Sequence, residues 1–348
     1  MNSMLKIDCH THILPRKMPR WSERFGGGDY IYLEESTREG YARMMQGDLF
    51  FREIAENCWD SEVRKAEYRA FGVQVQVVCT IPVMFNYHAP LSHAEDIARF
   101  LNDHIAELVK NDPKHYAGLA TVPLQDTDHA IIELERAKEI GHLGVQIGSN
   151  INGLNLSDDR FFPFFEACQS LDMAVMIHPW DMMGKEQMEK YWLPWLVGMP
   201  AETARAASSL IFGGVLERLP QLRVMLSHAG GSFLPTLGRF EHGFNCRPDL
   251  VAIDNEVNPR DYLGRFWIDS ITHDADLLRY VMKLQGSERI CMGSDYPFPL
   301  GDLELGSYML EMGLSEMELA NLFSGAALSW LGVGPEYFMQ DSQSNHLF

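Results

Sequence analysis

Basic residues are scarce in this chain. Lys and Arg number 29 against 48 Asp and Glu over 348 residues, a formal net charge of −19. That balance repels phosphate backbones and argues against a nucleic-acid partner. An anionic substrate would therefore need arginines placed where it binds. Cysteine is sparse and scattered: Cys9, Cys58, Cys79, Cys168, Cys246 and Cys291 include no Cys-x-x-Cys pair. Several lie in apolar runs, where cysteine packs as a small hydrophobe. A disulfide scaffold is not expected, and a reducing, cytoplasmic setting is. No apolar run reaches the roughly 18–20 residues that span a bilayer, and residues 1–6 carry no apolar signal core, so no membrane role is expected. No glycine-rich phosphate loop follows the first strand-like run, which argues against an open, doubly wound nucleotide-binding sheet. There is no repeat of solenoid period and no low-complexity tract.

Hydrophobic residues make up 46% of the chain, enough for a sizeable core. Eight apolar runs read as strands: 5–10, 73–80, 117–124, 144–150, 174–180, 223–230, 266–272 and 290–297. Most are continuous rather than alternating, which suits parallel strands covered on both faces. Helical periodicity lies between most of them, at 60–71, 93–111, 126–140, 158–171 and 201–219, and again at 314–331. Repeated strand–helix alternation predicts parallel β-α-β units, and eight of them predict a (β/α)8 TIM-like barrel over 1–335. Three segments break the repeat. Residues 15–59 read as a flap or subdomain inserted after the first strand. Residues 181–200 are rich in Met and Trp, and 232–265 are long and polar. All three follow strand ends, so on a barrel they would lie on the face where active sites form. Residues 336–348 read as a loose tail.

The candidate chemistry falls at the ends of the predicted strands. His10 and His12, in Asp8-Cys9-His10-Thr11-His12, close the first; side chains two apart on a strand share a side. His178 closes the fifth, His228 the sixth and Asp295 the eighth. Barrel closure would gather these five residues at one mouth. Imidazoles with a carboxylate suit a borderline ion such as Zn²⁺, though ligand type alone leaves cobalt and iron open.

This arrangement resembles the amidohydrolase superfamily, whose members carry His-x-His on strand one, histidines on strands five and six, and aspartate on strand eight. Many hydrolytic members add a carboxylated lysine on strand four that bridges two metals. Here strand four reads Gly144-Val145-Gln146-Ile147-Gly148, without lysine or glutamate, so the resemblance implies one metal ion. Further blocks narrow it: His178-Pro179-Trp180-Asp181-Met182-Met183, the run from Tyr191 to Thr203, Gly293-Ser294-Asp295-Tyr296-Pro297-Phe298-Pro299-Leu300-Gly301, and Pro82-Val83-Met84-Phe85. From about Ile7 to Leu331 the chain looks like the 2-amino-3-carboxymuconate-6-semialdehyde decarboxylases of tryptophan (kynurenine-pathway) degradation. Ala229, where that family usually has glycine, is a small departure.

The resemblance implies a zinc-dependent, non-oxidative carboxy-lyase that needs no organic cofactor. One Zn²⁺ per subunit would be held by His10, His12, His178 and Asp295, with Asp295 also counted in the catalytic set. His228 would be the acid/base that works with a zinc-activated hydroxide. Arg52 on the flap would bind a substrate carboxylate, Trp195 would wall the pocket, and Arg239 would reach the site from the other subunit of a homodimer. Guanidinium suits bidentate carboxylate recognition. Two other readings share the metal site: a metal-dependent aromatic-acid decarboxylase and, further off, an amidohydrolase or lactonase.

Overall fold

The computed structural model describes residues 4–339. Eight parallel strands follow in chain order around one sheet: β1 (Ile7–His12), β2 (Val75–Cys79), β3 (Tyr116–Ala120), β4 (Gly144–Gly148), β5 (Ala174–His178), β6 (Val224–Leu226), β7 (Trp267–Asp269) and β8 (Ile290–Cys291). Register is regular where it can be followed, for example Ala174↔Gly144 through His178↔Gly148 between β5 and β4. The ring closes through the chain just beyond β8. Cys9 N–H donates to Met292 O (2.9 Å), Asp295 N–H to His10 O (2.8 Å) and His12 N–H to Tyr296 O (2.8 Å). The fold is a (β/α)8 barrel.

The strands are buried on both faces, which is why their sequences are apolar without alternation. Inside the ring, Ile7, Cys9, Val75, Val77, Leu119 and Met176 fill one cluster, with Trp330 and Phe338 closing its base. Outside it, a second and larger cluster packs the strands against the helices. The helix Leu91–Asn111 shows the physical logic. Ile97, Leu101 and Ile105 recur at four-residue spacing and are buried, while its charged residues face away. Asp60 and Asp126 cap the next helices by accepting backbone N–H bonds, as aspartate at that position should.

Between β1 and β2 the chain leaves the barrel. A short helix (Trp21–Phe25) leads into a three-stranded antiparallel sheet of Ile31–Glu35, Tyr41–Gln46 and Leu49–Ala55. One face of this insert, with Ile31, Met44 and Ile54, packs with Trp21 onto Ile97 and Leu101 of the long helix. The insert therefore has a core of its own: it is a small sheet anchored to the barrel wall.

Several local expectations need correction. The helix predicted over 201–219 is two helices, Met199–Phe212 and Val215–Arg218, broken where Gly214 takes a left-handed backbone. The run 314–331 is interrupted by a π-helical turn at Asn321–Gly325. The polar stretch 232–265 contains the helix Leu237–Cys246, and the helix Ala275–Gln285 supplies the last crossover, which the sequence reading left out. The expected loose tail starts too early. Pro335–Met339 form a 3-10 turn, and Phe338 is buried against the barrel base. The remainder of that tail, 340–348, lies outside the described residues.

Candidate metal centre and active site

β1 delivers two of the five candidate side chains. Its pairing with β2 shifts register between Asp8 and Thr11, a bulge that re-aims the strand end. His10 and His12 then lie with their Nε2 atoms 3.2 Å apart. His178 at the end of β5, His228 just past β6 and Asp295 just past β8 meet them there. Five ring pairs among the four histidines have centroids 5.1–5.3 Å apart. Asp295 Oδ1 is 2.8 Å from His12 Nε2 and 3.5 Å from His10 Nε2, and its Oδ2 is 3.7 Å from His228 Nε2. His10, His178, His228 and Asp295 each offer a ligand atom within 4.8 Å of the others. The structure thus brings all five residues together.

The outer nitrogens decide what the inner ones can do. His10 Nδ1 lies 2.8 Å from Asp269 Oδ2, His12 Nδ1 2.9 Å from Thr80 O, and His178 Nδ1 2.9 Å from Pro179 O. Each partner is an acceptor, so each Nδ1 carries a proton and each Nε2 is turned to the common point. His12 Nε2 also faces Asp295 Oδ1, and against burial the neighbouring Cys79 and Asp295 raise its pKa to about 10. His178 Nε2 is buried with no hydrogen-bond partner. Burial, followed by the neighbouring His228, His10 and His12, pushes His178 well below the ordinary histidine range. Against burial, the imidazoles of His12 and His228 beside it hold Asp295 well below the usual carboxylate range. Imidazoles fixed through Nδ1 by a second-layer acceptor, together with an ionised carboxylate, are the donor set of a borderline divalent ion. The residues fit a metal.

β4 adds nothing to that set. Gln146 points into the barrel, and neither of its side-chain polar atoms has a hydrogen-bond partner. No carboxylate lies on that strand.

Two cavities flank Asp295. One, of about 310 Å³, is lined by Arg52, Phe51, Trp180, Phe298 and the His12 and His178 rings. The other, of about 360 Å³, runs past His228 towards Ile271, Thr272 and His273. Trp195, Met199 and Leu300 line both, so Trp195 is part of the wall between them. Arg52 packs beside the rings of Phe51 and Phe298 and has no ion-pair partner among the described residues. Burial lowers its pKa. Arg239 is placed differently. It is exposed on Leu237–Cys246 and lines neither cavity.

The sequence reading missed Asp269. This buried carboxylate ends β7, accepts from His10, and also accepts the backbone N–H groups of His228 and Ala229 at 2.8 Å. Its signal was available: a charged residue closing an apolar run, as Asp295 does. His228, Ala229 and Asp295 all have left-handed backbones, at φ of 55, 53 and 58. Strain of this kind concentrates at functional sites. Gly293 explains a neighbouring constraint. A Cβ there would come within 2.8 Å of Asp269 Cβ and 3.2 Å of His10 Cβ, so glycine lets these two approach.

Comparison with known proteins agrees with this geometry. Residues 7–333 match the amidohydrolase family. The chain is 50% identical over 337 residues to the 2-amino-3-carboxymuconate-6-semialdehyde decarboxylase of Dictyostelium discoideum, covering 96% of this chain and 94% of that protein. It is 34% identical to the Caenorhabditis elegans protein of the same name, covering 88% of each. A dihydroxybenzoic acid decarboxylase from Polaromonas sp. JS666, solved with bound manganese and 2-nitroresorcinol, shares the fold. Its TM-score is 0.74 at 20% identity, over 94% of this chain and 97% of that one. The chain belongs to the 2-amino-3-carboxymuconate-6-semialdehyde decarboxylase family of the amidohydrolase superfamily, and it is a carboxy-lyase.

Proposed function

We propose that this enzyme decarboxylates 2-amino-3-carboxymuconate-6-semialdehyde to 2-aminomuconate-6-semialdehyde, releasing carbon dioxide, in tryptophan catabolism by the kynurenine pathway. The observation that carries the substrate is the 50% identity to the Dictyostelium decarboxylase over nearly the full length of both chains. Arg52 supports it: a half-buried guanidinium without a carboxylate partner among the described residues faces the cavity beside the candidate metal ligands. His10, His12, His178 and Asp295 would hold one Zn²⁺ per subunit. Bound there, the ion would act as a Lewis acid and bring the pKa of water towards about 7.

The chemistry asks for an acid and a base. Direct loss of carbon dioxide from an alkene carbon would leave an unstabilised vinyl carbanion. His228 accepts a proton from the water whose oxygen adds to one alkene carbon. It then delivers a proton to the neighbouring carbon, which carries the departing carboxylate and becomes sp³. As carbon dioxide leaves, the carbon–carbon electron pair forms the new double bond and expels hydroxide. Imidazole suits both transfers because its pKa lies near neutrality. Arg52 fixes a substrate carboxylate by paired N–H donors, and Trp195 limits where the conjugated chain can lie.

Arg239 contributes across a homodimer in this reading. It is exposed and lines neither cavity, which leaves it free to serve a second copy. Tyr191, Trp192, Leu196 and Val197 are exposed on the segment after β5 and offer apolar area for that contact. The six free cysteines suit a cytoplasmic enzyme. The Polaromonas fold relative favours one alternative substrate class, aromatic hydroxy acids.

The test uses purified, zinc-loaded protein and freshly generated semialdehyde. Loss of the substrate's ultraviolet absorbance with stoichiometric carbon dioxide is expected, abolished in His228→Ala. An inactive, fully metallated enzyme that turns over 2,6-dihydroxybenzoate instead would transfer the assignment to the aromatic class. Activity per subunit should fall with dissociation on dilution. Full activity in isolated monomers would remove Arg239 from the site.

A further inference from the structure

Asp269 is a buried carboxylate at the barrel mouth that the reaction above does not use. Both of its oxygens are committed. Oδ2 accepts from His10 Nδ1 and from the His228 N–H, each at 2.8 Å. Oδ1 accepts from the Ala229 N–H at 2.8 Å and from the Ile271 N–H at 3.1 Å. The side chain is fully buried. One group therefore touches a candidate metal ligand on β1 and the turn that carries the candidate acid/base after β6.

We propose that Asp269 is a positioning residue for both halves of the site. It fixes His10 as the Nδ1–H tautomer with Nε2 turned to the metal position, and it holds the His228–Ala229 turn so that the His228 imidazole faces the same point. The inference rests on the metal-dependent reading of the site given above.

Each half has its own physical basis. A carboxylate behind a ligating imidazole selects the tautomer, fixes the ring plane and strengthens the donor. His10 has no other partner for Nδ1 among the described residues. At the turn, His228 and Ala229 are consecutive left-handed residues, a backbone that non-glycine side chains resist. Successive N–H groups in such a turn form a small concave nest that suits an anion. Asp269 supplies the anion, and its two oxygens take one N–H each. Without it the turn has reason to relax, and His228 would swing away from Asp295.

Asp269→Asn is the test. It keeps size and one carbonyl oxygen but removes the charge. The amide can satisfy the two N–H groups or the His10 ring, not both with the same geometry. Zn²⁺ affinity is read by chelator competition, which needs no substrate. Decarboxylation is then measured at saturating Zn²⁺, with far-ultraviolet circular dichroism and the melting temperature to show folding. The expected result is a folded protein with Zn²⁺ affinity lowered about 10–100-fold. At full occupancy, kcat falls more than KM changes, and the pH profile of kcat is displaced.

The double variant Asp269→Asn/Ala229→Gly separates the halves. Glycine tolerates the left-handed turn unaided, so it should restore part of kcat while leaving Zn²⁺ affinity low. A folded Asp269→Asn protein with unchanged Zn²⁺ affinity overturns the proposal, whatever substrate the enzyme uses. A lowered melting temperature with unchanged affinity and unchanged kcat at saturation would make Asp269 a purely structural group, and also overturns it. If zinc binding behaves as expected but no tested acid is decarboxylated, the substrate assignment fails and the positioning role stands.

Discussion

Ala229 is a small residue in a backbone that favours glycine. Its φ of 53 and ψ of 28 place it in the left-handed region, directly after His228 at φ 55. A single alanine there carries about 1–2 kcal/mol of strain, and glycine would remove it at an unfolded-state cost of roughly 0.5–1 kcal/mol. The two nearly cancel. Ala229→Gly should therefore change stability by no more than about 1 kcal/mol and leave kcat close to that of the parent. Urea unfolding and a steady-state assay check both. A tenfold loss of kcat would show that the Ala229 methyl, which lines the cavity beside His228, contacts the substrate.

His142 gives the residue scale its pH dependence. It is buried, its Nε2 donates to Asn102 O at 3.1 Å, and its Nδ1 has no partner. Burial pushes its pKa down from 6.5 to about 4. The unfolded chain thus binds a proton that the folded chain refuses between these two values. This contribution to stability is complete above pH 6.5 and is lost as pH falls towards 4. The interval corresponds to about 3 kcal/mol. His142→Gln should show a shallower fall in unfolding free energy between pH 6.5 and 4 than the parent. Parallel curves would mean that acid unfolds the protein elsewhere.

At the scale of elements, the end of β1 depends on a tether that the sequence does not advertise. Arg64, on the helix Ser61–Ala70, is fully buried and pairs with no carboxylate among the described residues. Its guanidinium donates to His12 O at 2.8 Å, Asn57 O at 2.9 Å, Gln76 Oε1 at 2.9 Å and Thr11 Oγ1 at 3.1 Å. It ties β1, β2 and the exit of the inserted sheet to one point behind the site. Arg64→Met keeps the length and strands those acceptors, so stability should drop by about 3 kcal/mol or more. Zn²⁺ affinity should fall with it because His12 is no longer held. A variant that loses stability but keeps full affinity would confine Arg64 to the fold.

Legibility of the sequence also divides by element. The eight strands were readable because both faces of each are buried, which leaves unbroken apolar runs at 73–80 or 174–180. His10, His12, His178, His228 and Asp295 were readable because polar groups closing such runs are conspicuous. The inserted sheet was not. Its strands are half-exposed, and Leu49, Phe50 and Phe51 put apolar residues on both faces, which blurs the period-two signal. The helix Ala275–Gln285 was overlooked although Leu278 and Val281 mark its buried stripe, since its remaining positions are largely polar. Asp269 stands out as a charge closing an apolar run, but its bonds to His10 and His228, like those of Arg64 to Thr11 and His12, join residues about 40 to 260 positions apart, and no local pattern encodes such pairs.

For the molecule as a whole, the site joins distant parts of the ring. Its candidate ligands come from β1, β5 and β8, and His228 from β6, so an ion at the mouth would cross-link strands that the chain order keeps apart. The clusters inside and outside the barrel contain none of the candidate ligands and need no ion. Metal removal should accordingly leave the fold intact and lower its stability. Linkage gives about 2.7 kcal/mol when free metal is a hundredfold above its Kd. At about 2–4 °C per kcal/mol in large domains, chelation should lower the melting temperature by roughly 5–10 °C. Far-ultraviolet circular dichroism should be unchanged, and zinc should restore the lost degrees. Without the ion, His178 Nε2 is buried with no hydrogen-bond partner among the described residues, which makes the apo mouth the first region to loosen. Hydrogen exchange should therefore speed up at the ends of β1 and β5 before the barrel base responds. An apo protein with the same melting temperature and the same exchange pattern would show that these histidines are held by the fold alone and that no ion links the strands.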